Sequence, residues 1–146
     1  MVDPNASNLV RENLQRLMKE GHEAGNESVI EEIVAPDFVL NCPDGSRKTR
    51  SESAQTYAAM RRALTSYTIT CDLMVAEDHM LAARTAMHGK FTNPFPLAEG
   101  NQIEAHGGPV HFETISIYRF DSQGRLTEEW AQSDNMTLFS QLGLKM

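Results

Sequence analysis

The run Ile115-Ser116-Ile117-Tyr118-Arg119-Phe120 reads as a β-strand, and Asp121-Ser122-Gln123-Gly124 reads as the tight turn after it. Arg125 to Trp130 predicts the returning strand, so a β-hairpin is expected near the end of the chain. Side chains alternate between the two faces of a strand. If the backbone stays extended past Trp130, four side chains share one face: Leu126, Trp130, Gln132 and Asp134.

That shared face would put a carboxylate beside an apolar ring and an amide. The pKa of a carboxyl group in such surroundings can be tuned for work as an acid or a base. Asp134 also stands just before Asn135 to Leu142, which reads as a short terminal helix, and Asp is a favoured helix N-cap. A pocket carboxylate and a helix cap are both open interpretations of Asp134, and they do not exclude each other.

Length and composition predict one domain over residues 1–146. Hydrophobic residues make up 40% of the chain and charged residues 23%, which is enough apolar side chain for a real core. The net charge of −7 argues against a nucleic-acid partner, because phosphate backbones are bound by clustered Lys and Arg. Cys42 and Cys71 lie far apart without a C-x-x-C motif, so two reduced thiols are expected, with a single disulfide left open.

The start of the chain has no basic region followed by an apolar one, and no apolar run approaches the length that spans a membrane. We therefore expect a cytoplasmic protein without a membrane partner.

Helical spacing of apolar residues predicts helices over Leu9 to Met18 and Val29 to Val34, the second stopped by Pro36. A third helix, capped by Ser51 or Ser53, is expected to run to about Leu64. The later chain has the period of strands. The predicted strands are Phe38 to Cys42, Tyr67 to Val75, Met80 to Phe91, Pro109 to Phe120 and Arg125 to Ser133. Helices followed by long antiparallel strands indicate an α+β fold.

The order of these elements resembles that of the SnoaL-like polyketide cyclases, within the superfamily named after nuclear transport factor 2. The motifs that carry the resemblance are Met60-Arg61-Arg62-Ala63-Leu64, the hairpin from Tyr118 to Gly124, Trp130-x-x-x-Asp134 and Gln141-Leu142-Gly143. The resemblance covers nearly the whole chain. It implies a cone-shaped curved antiparallel sheet wrapped on three N-terminal helices and enclosing a pocket. It also implies a homodimer formed through the outer face of the sheet.

The resemblance offers three catalytic schemes. Ketosteroid isomerases place a base aspartate where this chain has Cys42, and a largely protonated thiol is a poor substitute. Limonene epoxide hydrolase uses two aspartates where this chain has Ala86 and Gln132, which cannot transfer protons. The SnoaL-like scheme needs an aspartate four residues after a tryptophan, and Asp134 stands there. In that scheme the aspartate serves as general acid–base in an intramolecular aldol reaction, and neither a cofactor nor a metal is expected.

The same resemblance implies further pocket residues. His88 and Arg84 share a strand face that the family match turns inward, with His88 as a second acid–base group and Arg84 as a partner of Asp134 or of an anionic substrate. Phe91 takes the place of a histidine found in related cyclases. Thr114 is turned inward, which sends His111 and Glu113 outward. The predicted site is therefore Asp134 and His88 as catalytic residues, with substrate contacts from Arg84, Trp130, Gln132, Tyr57, Thr114 and Phe91.

Other residues carry plainer expectations. His22 and His79 are read as surface residues, and His106 is a candidate lid residue in the loop over residues 92–108.

The leading hypothesis is a cofactor-free cyclase or isomerase that acts on an apolar small molecule bearing a carbonyl group. Two alternatives stay open: a non-catalytic small-molecule binding protein, and a dimeric interaction module on the same scaffold. A filled core without a pocket would favour the interaction module.

Overall fold

The computed structural model describes residues 4–144. The helical part begins with α1 (Pro4–Arg16), which continues as a π-helical segment (Leu17–Glu23), followed by α2 (Glu27–Ile33) and α3 (Arg50–Ala63). The predicted cap of α3 at Ser51 or Ser53 is wrong. Thr49 caps α3 instead, because its hydroxyl accepts from the Glu52 N–H at 3.2 Å while the Glu52 carboxylate accepts from the Thr49 N–H at 3.0 Å.

The strands are β1 (Val34–Asn41), β2 (Arg47–Thr49), β3 (Leu64–Glu77), β4 (Met80–Phe91), β5 (Phe95–Pro96), β6 (Gln102–Ile103), β7 (Pro109–Phe120) and β8 (Leu126–Ser133). Six of them form one sheet in the order β2-β1-β8-β7-β4-β3, while β5 and β6 pair separately within the long loop. The chain finishes with α4 (Asn135–Gln141).

The predicted α+β fold, with a curved sheet packed on N-terminal helices, is confirmed. Two features differ from the expectation. The sheet is mixed, since β1 pairs in parallel with β8 while the other neighbours are antiparallel. β1 also begins at Val34 and runs through Pro36, directly after α2. No helix in residues 4–144 has the length and apolar character needed to span a membrane.

The core lies between the concave face of the sheet and the helices. Val10, Leu14 and Leu17 recur at helical spacing and are fully buried, as are Ile69, Leu81 and Tyr118 from three strands. Burial of each such apolar side chain contributes about 1.5 to 3 kcal/mol. This packing therefore fixes which face of each strand is the inner one.

Two β-bulges reverse the alternation predicted from the sequence. In β3, Cys71 lies opposite Thr85 and Leu73 lies opposite Arg84. Asp72 therefore has no partner residue in β4 and forms the bulge. Leu73 and Val75 consequently lie on the outer face of the sheet, 57% and 71% exposed. Beyond a bulge, each side chain lies on the face opposite to the one that uninterrupted alternation would give it.

The second bulge lies in β8. Phe120 pairs with Leu126, but Arg119 pairs with Glu128, which leaves Thr127 unpaired. Leu126 faces the core, and beyond Thr127 it is Glu129 and Ala131 that face inward. The prediction that Leu126, Trp130 and Gln132 share one face is therefore wrong.

We expect Gly124→Ala to destabilise the fold more than Gly45→Ala. Both glycines have positive φ, 80° and 88°, so alanine is strained at either position by about 1–2 kcal/mol. A methyl group at Gly124 would lie 2.7 Å from Leu9 Cδ2 and 3.0 Å from Asn13 Nδ2, whereas nothing lies within 4 Å at Gly45. Asn13 Nδ2 donates to the Gly124 carbonyl at 2.7 Å, and its displacement adds about 1 kcal/mol. Urea denaturation measures both losses, and equal losses would contradict this role of the α1–hairpin contact.

Candidate active site

Three of the eight residues predicted for the site belong to the interior. Tyr57 of α3 is half-buried, and its ring stacks on the ring of His22 with centroids 3.7 Å apart. Thr114 of β7 is half-buried on the inner face, opposite Thr85 of β4. Phe91 is a fully buried core residue whose ring meets His106 edge-on.

Four other predicted residues lie on the outer face of the sheet, so their expected inward orientation is wrong. Arg84 forms an ion pair with Asp72, and His88 lies opposite His111 in the β4–β7 ladder. The guanidinium carbon of Arg119 lies over the ring of Trp130, 5.0 Å from the ring centroid. The side chain of Gln132 is exposed. The physical reason for Trp130 and Gln132 is the bulge at Thr127. For β4, cross-strand pairing gives the inner positions to Thr85 and Met87 instead.

Asp134 is the N-cap of α4. Its side chain is exposed and accepts hydrogen bonds from the backbone N–H and the hydroxyl of Thr137, and these bonds lower the pKa of its carboxyl group. The cap interpretation of Asp134 is confirmed. Its role as the general acid–base stays a prediction. No side-chain hydrogen bond, ion pair or ring contact in residues 4–144 joins any two of the eight predicted residues.

Glu129 is an ionisable residue that the predicted site did not include and that lies in the interior. Its side chain is on the inner face of β8, 8% exposed, directly across from Tyr118 of β7. The Ser116 hydroxyl donates to Glu129 Oε2 at 2.9 Å, and Ser116 is itself buried. Burial raises the pKa of Glu129 from its ordinary value of 4.5 to about 7, and the hydrogen bond from Ser116 only partly opposes this rise.

Two tyrosine hydroxyls stay protonated near this carboxyl group. Burial raises the pKa of Tyr57 and of Tyr118 well above 10, and the nearby charge of Glu129 raises both further. A phenol that keeps its proton can donate a hydrogen bond to a developing negative charge.

His22 is the second titratable group in the interior, and its prediction as a surface residue is wrong. It lies in the π-helical segment and is 5% exposed. Burial, followed by the nearby charge of Arg61, lowers the pKa of His22 from 6.5 to about 3. The imidazole is therefore neutral at physiological pH. Its Nδ1 atom is buried without a hydrogen-bond partner among the described residues.

His22 and Glu129 line the same cavity, together with Arg50 and Ser53. The apolar part of its wall is formed by Ile30, Val34, Phe38 and Leu126. Its volume of about 10 Å³ is close to what one water molecule needs. A larger ligand would have to displace side chains of the interior.

The predicted site missed Glu129, Ser116, Tyr118 and His22. The inward orientation predicted for Thr114 implies by strand alternation that Ser116 faces inward too, so the residues paired with Ser116 across the hairpin were candidates for the site. Without the bulge, however, pairing across the turn assigns the inner positions of β8 to Trp130 and Gln132. One extra residue is therefore enough to hide Glu129 from a sequence pattern.

The outward orientation predicted for His111 and Glu113 is confirmed, since the side chains of both are about half exposed. His111 Nδ1 lies 3.0 Å from His88 Nδ1, and His111 Nε2 lies 3.1 Å from Glu113 Oε1.

Across residues 4–144, no group of three or more His, Cys, Asp or Glu side chains is arranged to hold a metal ion. Cys42 and Cys71 are both free thiols.

The long loop between β4 and β7 is attached to α4 through His106. The Gly108 N–H donates to His106 Nδ1 at 2.9 Å, so Nε2 carries the proton, and it lies 2.6 Å from the Gln141 carbonyl oxygen. A function of this loop as a lid stays a prediction.

The sequence matches a protein family, and the fold matches solved structures. A model of the SnoaL-like polyketide cyclase family matches residues 12–142. The chain belongs to the SnoaL-like polyketide cyclase family. No curated protein matches it at a significant level.

Several solved structures share the fold of this SnoaL-like chain. IdmH from Streptomyces antibioticus, assigned as a polyketide cyclase, is 22% identical, with a TM-score of 0.74 over 92% of this chain and 99% of IdmH. A SnoaL-like protein from Jannaschia sp. CCS1, also assigned as a cyclase, is 14% identical, with a TM-score of 0.80 over 100% and 99% of the chains. AclR from Streptomyces galilaeus, assigned as a hydroxylase, is 16% identical, with a TM-score of 0.76 over 94% and 82%. At these identities, the likeness establishes the fold alone.

Glu129→Gln should change how stability depends on pH. Because the folded-state pKa of Glu129 is raised, the carboxyl group favours the fold below pH 4.5, and this contribution is lost as the pH rises to about 7. The rise corresponds to about 3 kcal/mol, since each pKa unit is about 1.4 kcal/mol. Relative to the wild type, Glu129→Gln should therefore become more stable by up to about 3 kcal/mol between pH 4.5 and pH 8.

Urea denaturation at several pH values measures this difference. Glu128→Gln is the matched control, because Glu128 is the preceding residue and lies on the outer face beside Arg119. If the two variants have parallel pH profiles, Glu129 does not titrate as a buried group.

Proposed function

We propose that this SnoaL-like protein is a cofactor-free acid–base enzyme that acts on an apolar small molecule bearing a carbonyl group, as a cyclase or an isomerase. The observation that carries the proposal is the buried Glu129 carboxyl group, with its pKa of about 7. A general acid–base works best when its pKa lies near the operating pH. Strongly perturbed carboxyl groups inside a fold are also enriched at functional sites.

In the proposed step, the Glu129 carboxylate removes a proton from the carbon next to the substrate carbonyl. The C–H bond electrons form an enolate, and the proton becomes the carboxylic acid hydrogen of Glu129. In a cyclase, the enolate carbon attacks a second carbonyl carbon of the same molecule, and Glu129 returns the proton to the alkoxide that forms. Protonated Tyr57 and Tyr118 would stabilise the enolate oxygen by hydrogen bonding.

The proposal is tested by deuterium exchange into 2-tetralone, an apolar ketone with acidic protons beside its carbonyl, followed by NMR in D₂O. Glu129→Gln should slow the protein-catalysed exchange by at least about 100-fold, the usual contribution of a positioned base. Asp134→Asn should retain most of the exchange, because Asp134 is an exposed helix cap.

The opposite result, with exchange lost only in Asp134→Asn, would assign the base to Asp134 and overturn the role of Glu129. A wild-type protein that gives no exchange above the buffer rate would overturn the enzyme proposal in favour of ligand binding alone.

A second candidate function is a dimeric interaction module. Two observations favour it: the cavity of about 10 Å³ leaves little room for a ligand, and the outer sheet face carries an apolar stripe. Four strand residues of the stripe are 47–71% exposed: Leu73, Val75, Ile115 and Ile117. Val75, Ala82, Ile117 and Trp130 form one cross-strand row of the stripe, and in the next row Leu73 and Ile115 lie on either side of Arg84. Contiguous exposed apolar side chains of this kind mark interaction surfaces.

We propose that this stripe forms a homodimer, which is compatible with either function. Ile117→Glu should convert the dimer to a monomer, because it would bury a charge at the centre of the stripe. Leu97→Glu is the control, since Leu97 is 37% exposed in the long loop, away from the sheet face. Analytical ultracentrifugation measures the mass, and a wild-type monomer or an unaffected Ile117→Glu dimer would contradict the proposed interface.

The cytoplasmic location stays a prediction.

A further inference from the structure

Along the inner face of β8, Glu129 lies between Leu126 on the hairpin side and Ser133 on the α4 side. Towards the β7–β8 hairpin lies the cavity formed with Leu126, His22, Ser53 and Arg50. Towards α4, the inner face carries side chains that are only half-buried: Phe112 and Thr114 of β7, Ser133 of β8 and Phe139 of α4. A ligand that enters by displacing side chains meets less resistance on the α4 side, because these side chains are less completely packed.

The cavity on the hairpin side has the size and chemistry of a water site. It has room for about one water molecule and is lined by four polar side chains, His22, Arg50, Ser53 and Glu129. A buried water needs two to four polar partners, whereas a cavity with apolar walls alone stays dry.

The strongest indication is the imidazole of His22. Its Nδ1 atom is buried and has no hydrogen-bond partner among residues 4–144. His22 is 5% exposed and lines the cavity. A buried polar atom without a partner is destabilising by about 1–3 kcal/mol. A hydrogen bond to a water molecule in this cavity would remove that cost.

We propose that this cavity binds one water molecule, which hydrogen-bonds His22, Ser53 and the Glu129 carboxyl group and exchanges protons between Glu129 and solvent at Arg50. Arg50 stands at the start of α3, is half-buried, lines the cavity and donates to the Val34 carbonyl at 3.1 Å, so the cavity wall includes a cation that reaches the surface. The proposed water site depends on the proposed function in one respect: Glu129, whose protons the water exchanges, is the proposed acid–base group.

The titratable and charged groups around this water come from the helices and the sheet. His22 and Arg50 line the cavity together with Glu129, Arg61 lies beside His22, and Tyr57 and Tyr118 lie near the carboxyl group. Because His22 is neutral and the tyrosines keep their protons, Glu129 is the group in this set that changes charge near pH 7. Proton exchange through the water would let Glu129 return to its starting protonation state while a ligand fills the α4 side.

The first test detects the water in the full-length wild-type protein without a substrate. Water–protein cross-relaxation in NMR should show a long-lived water molecule close to the His22 ring protons, and a high-resolution crystal structure should place one water molecule in the cavity. A dry cavity by these measurements overturns the proposal.

The second test fills the cavity. Ser53→Val replaces a hydroxyl group with a larger apolar group that occupies the space, while Ser53→Ala removes the hydroxyl group and leaves the space open. Displacing a water that hydrogen-bonds the carboxylate should raise the pKa of Glu129, measured by NMR of the labelled carboxyl carbon, by about one unit, a tenfold change in proton affinity. Ser53→Ala should produce a smaller change.

Equal pKa values for Glu129 in the wild type and both variants would overturn the water site. If Ser53→Val does not fold, direct detection in the wild type still decides the question. These outcomes are separate from those of the enzyme proposal. A dry cavity leaves the exchange assay with Glu129→Gln unaffected, and absence of ketone exchange leaves a detected water in place.

Discussion

One extra residue in β8, Thr127, sets which side chains of the last strand face the helices. It is held by the pairing of Arg119 with Glu128 on one side and of Phe120 with Leu126 on the other, and its hydroxyl donates to the Arg119 carbonyl at 3.1 Å. Because of this bulge, a carboxyl group enters the interior at Glu129 while the aromatic ring of Trp130 moves outside. The chemical character of both faces of the sheet follows from this local irregularity.

Burial of two titratable groups works against the fold, and the core tolerates it. His22 is kept neutral and Glu129 is kept largely protonated below pH 7, each against its preference in water. Between pH 4.5 and 6.5, acidification weakens the fold through His22, whereas a rise in pH weakens it through Glu129. The effects of His22 and Glu129 on the pH dependence of stability therefore offset each other in that interval. The surrounding apolar core supplies the stability that such an arrangement requires, as expected where an interior is adapted to a task other than stability alone.

The same sheet presents two different surfaces. The inner face packs the Glu129 carboxyl group and Tyr118 against Tyr57 and the neutral imidazole of His22 from the helices, beside a small cavity with polar and apolar walls, which suits proton transfer. The outer face combines an apolar stripe with two ion pairs, one between Arg119 and Glu128 and one between Asp72 and Arg84, which lies between Leu73 and Ile115. Because strand residues alternate, each long strand contributes to both surfaces at once.

The α+β class, the helices, the long strands and the family all followed from the sequence, because periodicity is a local signal and the family motifs extend along most of the chain. The site did not follow in the same way. Thr114, Tyr57 and Phe91 lie inside as expected, but His88, Arg84, Trp130 and Gln132 lie outside, since their faces depend on register and bulges. Register arises from pairing between strands that are distant in the chain, such as β4 and β7. A strand pattern with period two reverses completely when one residue is inserted, so only the assembled sheet could assign Glu129 to the interior.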